Sequence, residues 1–242
     1  MTVAATALLG RRARGGPLRQ FLGGVLWILR TGAPWRELPP SFGGWNGVFR
    51  RFRRWVLLGR WVELGEAVRR PAEEAERLLL DSTSVKANPD AAGARGSCAA
   101  AEALGRSRGG LTTKVHALVT TQGRWVGFLL TPGQWADVPQ AIPLLRSVSS
   151  PRQLIADRAY DSDALVTWLS ERSVEAVVPS RRHRRVARPH DRVAYRLRNV
   201  IERFFGRLKR MRRLGLRTDK TASSFGGFVG LGALAVERTA WA

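Results

Sequence analysis

Cysteine is almost absent: Cys98 stands alone among 242 residues, which excludes a disulfide framework and a thiolate zinc site. Histidine is nearly as scarce, and His116, His183 and His190 are too scattered in sequence to suggest an imidazole metal cluster. No apolar run approaches the roughly 20 residues of a membrane span. In MTVAATALLGRRARGG the charge follows the apolar stretch, the reverse of a secretory signal, so the expected setting is intracellular, reduced and cytoplasmic. Lysine is restricted to Lys86, Lys114, Lys209 and Lys220, and only 19 acidic residues oppose 41 basic ones.

The imbalance gives a net charge of +22 and a pI of about 11.8. That predicts a polyanionic partner, nucleic acid in the first place, bound with strong salt dependence. Arginine's planar fork suits bidentate phosphate contact, although a GC-rich gene would produce the same bias. Hydrophobic residues make up 44%, with nine Trp and nine Phe, which excludes a disordered basic tail. The length allows one large domain or two small ones.

Residues 1–70 read as a helical, basic N-terminal module for DNA binding. Apolar residues recur at helical spacing in PLRQFLGGVLWILRTG and in WNGVFRRFRRWVLLGRWVEL, with the turn-rich connector APWRELPPSFGG between them. Trp27, Trp35, Trp45, Trp55 and Trp61 are expected mostly in its core rather than stacked on bases.

Residues 71–242 read as a mixed α/β domain. LLLDSTSVKA is a strand, and residues 88–110 form a glycine-rich loop. LTTKVHALVTTQG and RWVGFLLTPG are two strands joined at Gln122-Gly123. Asp137 caps a helix over 137–148, LIAD closes a short strand, SDALVTWLSERS is a helix and VEAVVPS a strand. A basic linker then leads to YRLRNVIERFFGRLK.

Asp81 interrupts the apolar strand run LLL and Asp157 closes the apolar strand LIA. A carboxylate there is costly unless paired or metal-bound, though each aspartate could simply cap a following turn. At about 100° per residue, Leu197, Val200, Ile201, Phe204, Leu208 and Met211 form an apolar stripe. Tyr195, Arg198, Glu202 and Lys209 share a second stripe, and Arg196, Arg203, Arg207 and Arg210 a third. An ordinary Arg198–Glu202 pair at i,i+4 would explain Arg198 but not Tyr195 and Lys209. Two strand aspartates and a helix glutamate in a basic chain suggest a two-metal site for phosphodiester chemistry, because hard divalent ions prefer carboxylate oxygen.

The spacing Tyr195-x2-Arg198-x3-Glu202-x6-Lys209 resembles the signature around the catalytic glutamate of DDE transposases of bacterial insertion sequences. WILRTGAPWRELP, FGGWNGVFRRFRRW, LDSTSVKA, AAGA, GRSRGGLTTKVH, LLTPGQ, IADRAYDSDAL and NVIERFFGRLKRMRRL are similar, in order, to blocks of the insertion-sequence-five family. The resemblance covers about residues 20–240 and implies an α/β, RNase H-like catalytic domain. In that fold the two aspartates lie on neighbouring central strands and the glutamate on a later helix. It further implies Asp81, Asp157 and Glu202 as catalytic residues and ligands of two Mg2+ ions, with Mn2+ a substitute. Tyr195, Arg198 and Lys209 would position terminal phosphates, and Arg203 and Arg207 would contact DNA from the outer stripe. The implied partners are double-stranded DNA, as terminal inverted repeats and target, and a second copy of the chain in a synaptic homodimer, with no membrane. Asp161 and Asp163 are expected to cap a helix.

Three positions depart from the family pattern: Asn88, Ala136 and Gly206, the last costing about 1 kcal/mol of helix propensity. The N-terminal module is expected to lack its usual first ~20 residues. A decayed remnant that binds DNA without cutting is the alternative. A basic RNA-binding protein would share the charge but has no use for the ordered acids.

Overall fold

Leu78, Leu79 and Leu80 open strand β1 (Arg77–Ala87) and are all buried, the pattern of a strand covered on both faces. This computed structural model describes residues 15–61, 63–64, 76–92, 94 and 96–239. The first 14 residues, Pro71–Ala75 of PAEEAE, and Gly93 and Arg95 in and after AAGA lie outside the described residues, as does the expected N-terminal shortening. Contacts divide the chain into two units. One comprises Ala72–Val85 and Ala103–Gly206; the other comprises Met1–Pro71, Lys86–Glu102 and Arg207–Ala242.

The first unit is built on a mixed sheet. β3 (Gly110–Thr120) pairs antiparallel with both β2 (Gly105–Ser107) and β4 (Trp125–Pro132). β1 lies beside β3, then β5 (Gln153–Ala156) and β6 (Glu175–Val177) follow as parallel neighbours. Thr120 and Gly123 close the β3–β4 turn at the expected place, with Gly123 at φ 76°. β2 was not expected; it forms from the end of the loop that the sequence predicts over 88–110. Helices α3 (Val138–Leu145) and α4 (Asp163–Ser170) cover one face. There Leu78, Leu80, Leu118, Leu154 and Ala156 pack with Ala141, Leu144, Leu145, Leu165 and Leu169.

YRLRNVIERFFGRLK departs from the single helix the sequence predicts. α5 (Arg192–Tyr195) is capped by Asp191, a 3-10 turn covers Arg196–Arg198, and α6 (Asn199–Lys209) follows. The 3-10 turn does not separate Arg198 from Glu202, which pair at i,i+4 as their shared stripe predicts. Within α6 the faces sort as expected: Ile201, Phe204 and Leu208 are buried, with Phe205 added, while Arg203 and Arg207 are exposed. α6 continues through Gly206 without interruption.

The second unit contains α1 (Gly15–Thr31) and α2 (Trp45–Leu57), linked by two 3-10 turns in the expected connector. The helix predicted to run on from Trp45 breaks at Leu58, because Gly59 adopts φ 66°. Residues 207–239, which the sequence places with the catalytic domain, group here. They form α7 (Arg212–Gly215), β7 (Leu216–Arg217), which pairs with Lys86 and Ala87, and α8 (Ala222–Thr239). Phe228 of α8 stacks on Phe52 of α2 at 4.5 Å. Trp55 and Trp61 are buried, as expected of core tryptophans, while Trp45 reaches the surface beneath Arg36. Among the described residues no helix is long and apolar enough to cross a membrane.

Candidate active site

Side chains alternate along a strand, so Asp81 shares a face with Leu79, away from the α3–α4 core that takes Leu78 and Leu80. The β1–β5 register runs from Arg77↔Gln153 to Leu80↔Ala156, and one further step sets Asp81 beside Asp157. Two half-buried carboxylates thus issue from adjacent parallel strands on one face. Neighbouring parallel strands therefore present Asp81 and Asp157, and the later helix α6 carries Glu202.

Each aspartate also serves the backbone. Asp157 accepts from Ala159 N at 2.8 Å and caps the turn Arg158–Tyr160, so the turn-capping alternative holds for it without displacing it from the site. Asp81 Oδ1 accepts from Ser82 N at 2.8 Å. Its Oδ2 accepts from Arg198 Nη2 at 3.1 Å, and Arg198 Nη1 donates to Glu202 Oε1 at 2.5 Å. Arg198 therefore joins the first and third acids. Its buried Nε has no acceptor among the described residues.

Burial pushes the Asp81 carboxyl above its ordinary range, and the charges of Asp157 and Glu202 add to this. Ser82 N–H and Arg198 pull it back only in part. Burial acts to lower the Arg198 guanidinium, but Asp81 and Glu202 hold it above its ordinary value. The donors are all hard oxygens with one compensating cation, a chemistry that suits a divalent ion such as Mg2+, whose shell is commonly completed by water and phosphate. Among the described residues no three carboxylate, imidazole or thiol groups converge closely enough to cage an ion unaided.

Of the remaining predicted residues, Tyr195 lies half-buried with its ring edge-on to His190, the centroids 5.6 Å apart. Arg203 is exposed and donates to Asn199. Arg207 is exposed near the end of α6, and Lys209 closes that helix in the helical unit, its ammonium lowered by burial.

Three aspartates predicted as caps do other work. Asp137 stands at the start of α3 but makes no capping bond. It accepts from Ser82 Oγ at 2.8 Å and pairs with Lys114 Nζ at 3.0 Å. His116 Nδ1 lies 3.6 Å from it, and Nε2 is 2.9 Å from Thr131 Oγ1. Burial pushes His116 down to about 4, so its imidazole is neutral at pH 7. Tyr160 is buried nearby with its hydroxyl in reach of Ser82, raised by burial and by Asp137, Asp81 and Asp157 and lowered in part by Ser82.

Asp161 is buried and accepts from Arg181 N, Arg184 and Arg188; Asp163 pairs with the same two arginines. These bonds tie the basic linker to the turn after Asp157. The sequence signal for the Asp137 group is the two-residue spacing of Lys114 and His116, which puts both on one strand face. Asn88, one of the departures, caps its own 3-10 turn through Asp90 N.

The chain is similar to known proteins. The profile described as "Transposase DDE domain" matches residues 73–236, and that of a "Putative transposase of IS4/5 family" matches residues 3–64. A putative transposase for insertion sequence element IS6501 from Brucella ovis is 39% identical over 122 residues, which is 50% of this chain and 94% of the relative. A putative transposase for insertion sequence element IS402 from Burkholderia cepacia is 30% identical over 131 residues, 50% of this chain and 60% of that one. Among solved structures, a piggyBac transposase synaptic complex with hairpin DNA is similar at TM-score 0.45 and 14% identity, over 76% of this chain and 47% of that one. A pre-cleavage Mos1 transpososome gives TM-score 0.30 and 11% identity, over 94% and 82%.

Proposed function

The chain belongs to the DDE transposases, and from that membership we propose that it cuts DNA at the ends of an insertion sequence and joins them to target DNA. The observation that carries this reading is that Asp81 and Asp157 each follow directly on the last β1–β5 register pair, Leu80↔Ala156, with Arg198 reaching from Asp81 to Glu202.

Asp81, Asp157 and Glu202 would hold two Mg2+ ions, with Mn2+ able to substitute. When bound, such ions supply Lewis acidity at the scissile phosphate and lower the pKa of an attacking water or hydroxyl. Cleavage breaks the phosphorus–3′-oxygen bond and leaves a 3′-hydroxyl. In joining, that hydroxyl attacks a target phosphorus and a target 3′-oxygen departs, so phosphodiester bonds are conserved. Arg198, already bridging Asp81 and Glu202, would share in positioning the terminal phosphates. Tyr195 and Lys209 would fix the terminal phosphates, and Arg203 and Arg207 would track the DNA backbone without reading bases. Joining two ends calls for a homodimer in the synaptic complex, working beside the bacterial nucleoid in the cytoplasm.

The test uses a labelled DNA end carrying the inverted repeats that flank the gene. Asp81→Asn, Asp157→Asn and Glu202→Gln should each lower Mg2+- or Mn2+-dependent cleavage by about a hundred- to a thousand-fold or more. Their affinity for the same DNA should stay within about three-fold, since phosphate contacts carry binding. Cleavage retained by any one variant removes that residue from the site, and an inert wild-type chain that binds the ends is the decayed remnant.

A further inference from the structure

Asp81 lies one residue beyond the last β1–β5 register pair, Leu80↔Ala156. Pairing with β5 therefore does not extend to the residue whose carboxylate the site depends on. The next residue, Ser82, makes two bonds in two directions. Its N–H holds Asp81 Oδ1 at 2.8 Å, and its hydroxyl donates to Asp137 Oδ1 at 2.8 Å. Alternation sends Ser82 to the face of Leu78 and Leu80, opposite Asp81. Lys114 and His116 share that rear face with Leu118 of the same strand.

We propose that Asp137 is a positioning residue, which anchors β1 from the rear of the sheet through Ser82 and so sets the direction in which Asp81 presents its carboxylate. A carboxylate at the start of a helix ordinarily gains by accepting from the free N–H groups of the first turn. Asp137 forgoes that gain and turns to Ser82 and Lys114. Lys114 is itself fixed, its ammonium donating to Trp135 O at 2.6 Å. His116 is fixed by Thr131, and Tyr160 is buried beside the group. The anchor thus joins β1, β3 and the start of α3 directly behind Asp81. It rests on the transposase reading for what Asp81 does; the anchoring itself involves only Asp137, Ser82 and Lys114.

The experiment compares the full chain with Ser82→Ala, Ser82→Thr, Asp137→Ala and Asp137→Asn. Mn2+ binding to the protein alone is followed by electron paramagnetic resonance, DNA-end cleavage is resolved into kcat and KM, and thermal unfolding checks the fold. Ser82→Ala should weaken Mn2+ binding and lower kcat by about ten-fold with KM for DNA unchanged, the scale expected of a residue supporting a ligand. Ser82→Thr, which restores the hydroxyl, should return both to within about three-fold. Asp137→Ala should follow Ser82→Ala, and Asp137→Asn, which keeps an acceptor, should fall between. If Asp137→Ala does not fold, Ser82→Ala, which loses a single oxygen, decides alone. Native Mn2+ affinity in folded Ser82→Ala overturns the inference, as does a wild-type chain that binds no Mn2+. A wild-type chain that binds Mn2+ and loses affinity in Ser82→Ala, yet cuts no DNA, overturns the functional reading and leaves the anchor standing.

Discussion

At Asp81 the requirements of folding oppose the chemistry proposed for it. Burial disfavours its charge, Asp157 and Glu202 repel it, and Ser82 N–H with Arg198 compensates only in part. Its folded pKa therefore lies above the unfolded one. The contribution of Asp81 to stability is full below the unfolded pKa of about 4 and is lost as pH rises through the folded value. Asp81→Asn removes the cost of the charge while keeping the shape. Its melting temperature at pH 7 should exceed that of the wild type, with the two curves meeting near pH 4 or below; a lower melting temperature at pH 7 would contradict this account. The same variant is expected to lose cleavage, so stability and activity should move in opposite directions at one residue.

Among the elements, legibility followed how local the cause was. Asp81 and Asp157 stood out because a carboxylate is conspicuous in an apolar strand, and the Arg198–Glu202 pair was readable from its i,i+4 spacing. That Arg198 also reaches Asp81, 117 residues away in sequence, was not readable. Asp137 and Asp161 were read as caps because an aspartate before a helix usually is one; only the fold brings Ser82 and Arg184 to them. α8 left no sequence signal because it has no polar face to give it a period: Phe225, Phe228, Val229, Leu231 and Leu234 are all buried. Its glycines allow the close packing. A Cβ on Gly232 would stand 2.5 Å from Leu214 Cδ1 and 3.2 Å from Leu208 Cδ1. Gly232→Val should cost about 1–3 kcal/mol by overpacking, read from chemical denaturation.

For the whole molecule the net charge of +22 sets the terms of binding. Several arginines are committed internally: Arg184 and Arg188 to Asp161, Arg198 to Asp81, and Arg213 to the buried Asp219. Exposed ones such as Arg203 and Arg207 remain to meet phosphate. Raising salt from about 50 to 200 mM should weaken DNA binding by at least about a hundred-fold, and Arg203→Ala and Arg207→Ala should each flatten the log–log slope by about 1. Titrations at several salt concentrations measure both.

The helical unit, drawn from the two ends of the described chain, also has a history during synthesis. α1 and α2 leave the ribosome well before α8, and the helix that brings Phe228 onto Phe52 ends at Thr239. At about 5–20 residues per second the nascent chain carries that apolar side of α2 unmatched for about ten to forty seconds. During that interval it is a natural client for a chaperone. A premature stop codon ahead of Ala222 would leave Asp81, Asp157 and Glu202 in the chain and still deprive α2 of its partner.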